Sequence, residues 1–165
     1  MYATPLQMLE RFTALELVQL ADDADTALVT GALLKATVTG GDVSGWTAAE
    51  QAAAVAAAAV IAARLQDASD LIDGYLQSRY VLPLPVVPKI LEHYVCDIAR
   101  HLLYRGNAPD AVTERQSAVM KALEKINSGA VNLGLAISDQ PAPAAGGPTA
   151  VSPGRVFTRD NLSDY

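Results

Sequence analysis

Apolar residues recur at helical spacing along most of this 165-residue chain. Ile61, Leu65, Ala68, Ile72 and Leu76 follow one another at +4, +3, +4 and +4, one face of a helix of 3.6 residues per turn. Leu91, Tyr94, Val95, Ile98 and Leu102 form a second such face. Between them, Pro83, Pro85 and Pro88 fix φ, remove three amide donors and push the residues before them into extended geometry. A stiff crossing therefore holds two helices in a set relation.

Start and stop signals extend this reading in both directions. Thr4 with Pro5 is a hydroxyl N-cap followed by proline at the first helical position, predicting a helix to about Phe12. Thr13 caps a second short helix, Ala14 to Leu20, which Asp22, Asp23 and Asp25 end. Those three carboxylates lack the glycine and the distal glutamate of an EF-hand, so they read as a solvated acidic turn. Thr26 to Ala36 allows a short helix, while Thr37 to Ser44, with its β-branched residues and the Gly40-Gly41 pair, reads as a small hairpin or extended loop. Thr47-Ala48-Ala49-Glu50 is a capping box that opens a long helix to about Ser78. Alanine dominates that helix up to Ala63, so it buries little area per residue and asks for partners on more than one side. Gly74, near its end, reads either as a fraying final turn or as a close approach by another backbone.

A helix from Lys89 to Tyr104 stops at Gly106, and a third substantial helix starts at Pro109, bears Val112, Gln116, Val119, Leu123 and Ile126 on one face, and ends at Gly129. Val131, Leu133, Leu135 and Ile137 then alternate with smaller or polar residues, predicting a strand over 131–137 that needs a partner edge. Residues 139–153 carry Pro141, Pro143, Pro148 and Pro153 among alanines and glycines, an extended linker. Residues 154–165 regain Phe157, Leu162 and Tyr165 with Arg155 and Arg159, as expected of an arm whose tip docks elsewhere. The organisation is a mainly α chain. A helical bundle domain spans 1–138, with 24–46 as an insertion or loop, three substantial helices, short N-terminal helices and a small β element. A linker and a C-terminal docking arm follow.

Composition narrows the function. Hydrophobic residues make up 51% and charged ones 18%, enough for a real core, and the net charge is −6 with a pI near 4.7. That balance argues against wrapping nucleic acid, which needs clustered Lys and Arg, and suits a surface that DNA passes without sticking. The lone Cys96, inside an apolar helix, reads as a small buried side chain and fits a reducing cytosol. The opening MYATPLQMLERF shows no signal peptide, and the apolar run Ala52 to Ala63 falls short of the roughly 20 residues of a membrane span, so a soluble protein with no membrane partner is expected.

Candidate chemistry is sparse. No G-x-S-x-G nucleophile motif, phosphate-cradling loop or dinucleotide fingerprint is present. His93, Asp97 and His101 stand at i, i+4 and i+8 on one helix, all of them ligand types, and a small helical metalloenzyme is the alternative they support. The two histidines lie about 12 Å apart along the axis, which works against one shared ion. The plain alternative pairs Asp97 with Arg100, His101 or Arg79. Asp67, Asp70 and Asp73 form a carboxylate face on the long helix.

The words Ile72-Asp73-Gly74-Tyr75-Leu76, Arg79-Tyr80, Leu82-Pro83-Leu84, Val87-Pro88, Cys96-Asp97-Ile98-Ala99-Arg100 and Leu103-Tyr104 stand in this order along the chain. Together they resemble the neck proteins of Mu-like tailed bacteriophages, a family of head-tail connector or tail-completion subunits. The resemblance runs over most of the chain, including Met1 to Leu20 and Arg155 to Leu162, and is weakest from Ala24 to Ala63. It implies a structural subunit rather than an enzyme, without cofactor, that forms a ring of about twelve copies between the portal protein and a tail or neck protein. DNA would pass through the lumen, and the protein would be made in the host cytoplasm and end in the virion. On this reading Arg79, Tyr80, Leu82 and Pro83 fix the crossing, Arg155, Phe157, Arg159, Leu162 and Tyr165 dock the arm, and Asp67, Asp70 and Asp73 are candidates to line the DNA channel. A helical adaptor that binds one partner without forming a ring is also compatible with the composition.

Overall fold

The computed structural model describes residues 1–21 and 28–135. Six helices follow in order: α1 (Pro5–Arg11), α2 (Ala14–Ala21), α3 (Gly31–Thr39), α4 (Ala48–Leu76), α5 (Lys89–Leu103) and α6 (Asp110–Asn127). The chain is mainly helical, as its periodicities require.

Local chemistry sets the helix starts. At α1 the Gln7 amide donates to Thr4 Oγ1 at 3.3 Å while Gln7 Oε1 accepts from the Thr4 amide at 2.7 Å, a reciprocal cap beyond the hydroxyl and proline expected there. At α4 the same arrangement joins Thr47 and Glu50, at 3.3 Å and 2.7 Å. These bonds to Thr47 hold the Glu50 carboxyl below its ordinary pKa.

Two expectations of extended structure are corrected. The segment that reads as a hairpin from Thr37 is helical to Thr39 and closes on Gly40, whose φ of 68° is left-handed. Its β-branched residues are accommodated because the Thr37 and Thr39 hydroxyls donate back to the Leu33 and Lys35 carbonyls at 2.9 and 2.8 Å. Leu33 and Leu34 are fully buried, so the region read as an insertion supplies part of the core. The strand expected over 131–137 is likewise absent from its described part, 131–135. Side chains take the amides a partner strand would use: Leu133 N–H donates to Tyr80 Oη at 3.1 Å and Gly134 N–H to Asn132 Oδ1 at 2.9 Å.

The core is organised by α4 and α5. α4, about 43 Å long, buries Ala54, Ala57, Ile61, Leu65, Ala68, Ser69, Ile72 and Leu76. Burying each of the Ile and Leu side chains stabilises the fold by about 1.5–3 kcal/mol. α5 packs on it more extensively than any other pair of helices does, with α3 on the flank of α4 and α6 on α5. α5 is enclosed nearly all round: Leu91, Val95, Cys96, Asp97, Ile98, Ala99 and Leu103 are all buried. The crossing between α4 and α5 contains a cis Leu82–Pro83 bond, buries Tyr80 and Leu84, and leaves Val81 and Val86 about two-thirds exposed.

Candidate assembly surface

The crossing is fixed from both sides. Tyr80, 2% exposed, donates its hydroxyl to Asn132 Oδ1 at 3.3 Å as it receives the Leu133 amide, tying the turn after α4 to the segment after α6. Arg79 reaches the same place, its guanidinium lying against Gly129 at the end of α6. Leu82 is half-buried against the core and Pro83 is exposed. Three of the four crossing residues thus join α4 to neighbouring structure.

The three carboxylates of α4 have separate environments. Asp73 accepts from the Tyr2 hydroxyl, and the Tyr2 amide donates to Ser69 Oγ at 3.1 Å, so this end of the acidic row fastens the N-terminus to α4. Burial first, and then the Asp73 carboxylate, push the Tyr2 phenol well above its ordinary pKa. Asp67 pairs with Arg64 at 2.7 Å, both exposed, and Asp70 accepts from Gln66 Nε2 at 2.7 Å. Exposed ion pairs of this kind contribute little to stability. Asp67 and Asp70 therefore remain available at the surface.

The helix residues considered as metal ligands are not brought together. Asp97 turns toward α1, where the Arg11 guanidinium meets both carboxylate oxygens, Nε to Oδ1 at 3.3 Å and Nη2 to Oδ2 at 2.9 Å. His93 is exposed and His101 half-buried, and among the described residues no three His, Cys, Asp or Glu side chains could hold an ion. The pairing of Asp97 with Arg100, His101 or Arg79 is replaced by this bidentate contact, because Arg100 is engaged elsewhere. Cys96 is buried beside the pair, and burial raises its thiol pKa to about 11, so it stays protonated.

Arg100 belongs to a groove that periodicity does not reveal. Its guanidinium donates to Glu16 Oε1 at 2.7 Å and the Tyr104 hydroxyl donates to the same oxygen at 2.7 Å. Burial opposes the Arg100 charge, but the Glu16 carboxylate outweighs it and holds the pKa above the ordinary arginine value. Two guanidinium groups lie over the Phe12 ring, with the carbon of Arg100 at 4.7 Å and that of Arg11 at 5.8 Å from the ring centre. Thr13, Glu16 and Arg115 complete an open groove of about 450 Å³. The signal available in the sequence was the concentration of Arg11, Arg100 and Arg115 in an acidic chain, which only the folding of α1, α5 and α6 brings to one place.

The outer side of α4 is an alanine-rich surface left uncovered. By length and composition alone α4 is long and apolar enough to cross a membrane, where the Ala52 to Ala63 run was expected to fall short, and 22% of its apolar window is buried within the chain. Ala52, Val55, Ala56, Ala59 and Ala63 are exposed, and the row continues through Asp67, Asp70 and Gly74. Gly74 is helical, and a Cβ there would meet nothing within 4 Å, so among the described residues no backbone makes the close approach that was one reading of this glycine. Glycine there costs about 1 kcal/mol relative to alanine with no compensating contact inside the subunit. The arm residues Arg155, Phe157, Arg159, Leu162 and Tyr165, the linker 139–153, and the 22–27 stretch with the acidic turn lie outside the described residues.

Over 101 residues the chain is 40% identical to the Mu-like prophage FluMu protein gp36 of Haemophilus influenzae, covering 61% of this chain and 72% of that one. Over 71 residues it is 37% identical to gene product J of Escherichia phage Mu, covering 43% of this chain and 50% of that one. The family described as Bacteriophage Mu, Gp36 matches residues 2–152, which takes in every helix among the described residues and the crossing and stops short of the Arg155 to Leu162 ending. With its helices, its proline crossing and its uncovered α4 all inside that match, the chain belongs to the bacteriophage Mu Gp36 family.

Proposed function

We propose that this protein is a structural subunit of the virion neck of a Mu-like phage, a head-tail connector. About twelve copies close into a ring between the portal and a tail or neck protein, and DNA passes through the ring. The observation that carries the reading is α4, a 29-residue helix whose apolar window is only 22% buried within the subunit. α4 buries its Ile and Leu face in the core, and its opposite, alanine-rich face, with Val55 59% exposed, is open to a neighbouring subunit. Family membership narrows the context to a Mu-like phage.

The remaining features fit an assembly role. Tyr80 and Arg79 tie the turn after α4 to the segment after α6, and the net charge of −6 disfavours retention of passing DNA. The arm carrying Phe157, Leu162 and Tyr165 supplies a second contact to a neighbour or a tail protein. The protein is made in the host cytoplasm and resides in the neck. Native mass, measured by light scattering alone and with the portal protein of the same phage, tests the reading: assembly supports it, and a strict monomer that ignores the portal contradicts it.

A further inference from the structure

A ring of identical subunits needs two different complementary surfaces on each copy. We infer that they are the outer row of α4, through Asp67, Asp70 and Gly74, on one copy and the Phe12–Arg100–Arg115 groove on the next. This assignment rests on the ring reading above and names its contact.

The two surfaces answer one another chemically. The groove gathers three guanidinium groups against the Glu16 carboxylate, which Arg100 already holds, and Arg11 is held in turn by the buried Asp97. Arg115 is exposed and makes no ion pair among the described residues. On α4, Arg64 offsets one of three carboxylates and Tyr2 occupies Asp73, leaving Asp70 at the surface with only Gln66 beside it. Next to the charged parts, each side offers an apolar part. Leu15 is 66% exposed on the turn of α2 beside Thr13 and Glu16, and Ala59 and Ala63 continue the α4 row. Gly74, open to its surroundings, lets a neighbouring backbone approach the helix closely.

Their placement is head-to-tail. The α4 row lies opposite the buried face that packs on α5, whereas Arg100 lies about 180° around α5 from Leu91. One copy therefore presents the donor surface and the acceptor surface on different sides, and a chain of such contacts can close. In this arrangement Asp67 and Asp70 sit at the subunit boundary instead of facing the lumen.

Charge reversal tests the contact. With the portal protein present, Asp70→Arg and Arg115→Glu should each lower the assembled fraction about tenfold, and the two changes combined in one chain should restore it. Both residues are exposed, so far-ultraviolet circular dichroism should match the parent. Independently, a chain carrying Asp70→Cys and Arg115→Cys should give, on mild oxidation, a reducible ladder extending past the dimer, while each single variant should not. Parent protein that assembles although the reversals have no effect and the ladder is missing overturns this contact and leaves the ring standing. Parent protein that never assembles overturns the ring reading and this contact with it.

Discussion

The Arg79 guanidinium occupies the space that a Cβ on Gly129 would need, with Cζ 2.9 Å from that position. Gly129 also has a φ of 84°, where a side chain is strained whatever room it has. The glycine thus ends α6 and admits the arginine of the crossing. Gly129→Ala should destabilise the fold by about 1–3 kcal/mol, read as a lower urea midpoint at unchanged slope. The positive φ of Gly129 penalises a side chain whether or not Arg79 is there, so most of that loss should persist in an Arg79→Ala background. A loss that vanishes there would put the cost in the collision and not in the backbone.

The Arg11–Asp97 pair joins α1 to the most enclosed helix. Asp97 has a side chain 6% exposed and Arg11 one 26% exposed. Removing Arg11 strands a buried carboxylate. Because water reaches the arginine side, Arg11→Ala should cost roughly 2–3 kcal/mol, below the roughly 3–5 kcal/mol of a fully buried pair. Asp97→Asn, which leaves no buried charge, should cost less. Thermal unfolding of the two variants decides the order, and a more damaging Asp97→Asn would contradict it.

Tyr2 gives the fold a pH dependence at the alkaline end. Its phenol is raised above the ordinary value of 10.0, so the folded chain keeps a proton that the unfolded chain loses. The stability from the Tyr2–Asp73 contact is fully present below pH 10 and is lost as pH rises above it. Tyr2→Phe should be less stable than the parent at pH 8, with the difference shrinking between pH 10 and 11.5. Urea midpoints at the three pH values measure this. A constant difference would mean that the phenol proton contributes nothing.

The arm is expected to serve assembly and not the bundle. Deleting residues 154–165 should leave helical circular dichroism per described helix unchanged and reduce oligomerisation with the portal protein. Loss of helicity would assign the arm to the core.

The sequence made the three long helices legible because their apolar residues recur at 3.6-residue spacing and their ends carry Thr47, Glu50, Pro109 and Gly106. Propensity misled where side chains do something local. Thr37 and Thr39 look like strand residues, yet their hydroxyls bond to helix carbonyls, and Leu133 alternates like a strand residue while Tyr80 takes its amide. Partners across the fold were the least legible. Asp97 and Arg11 are 86 positions apart, and Arg100 and Glu16 are 84 apart, so no local spacing points to either pair. The groove around Phe12 was invisible for the same reason. The bareness of the outer α4 face, by contrast, was foreshadowed by the alanines, which bury too little area to justify a long helix by themselves.

The central claim is that the subunit assembles in a ring, and native mass by light scattering tests it most directly. The parent protein mixed with the portal protein should add about 210 kDa to the portal mass, about twelve times the 17.3 kDa subunit, or form a species of that mass alone. A species that stays at 17.3 kDa in both conditions, leaving the portal mass unchanged, would contradict the account.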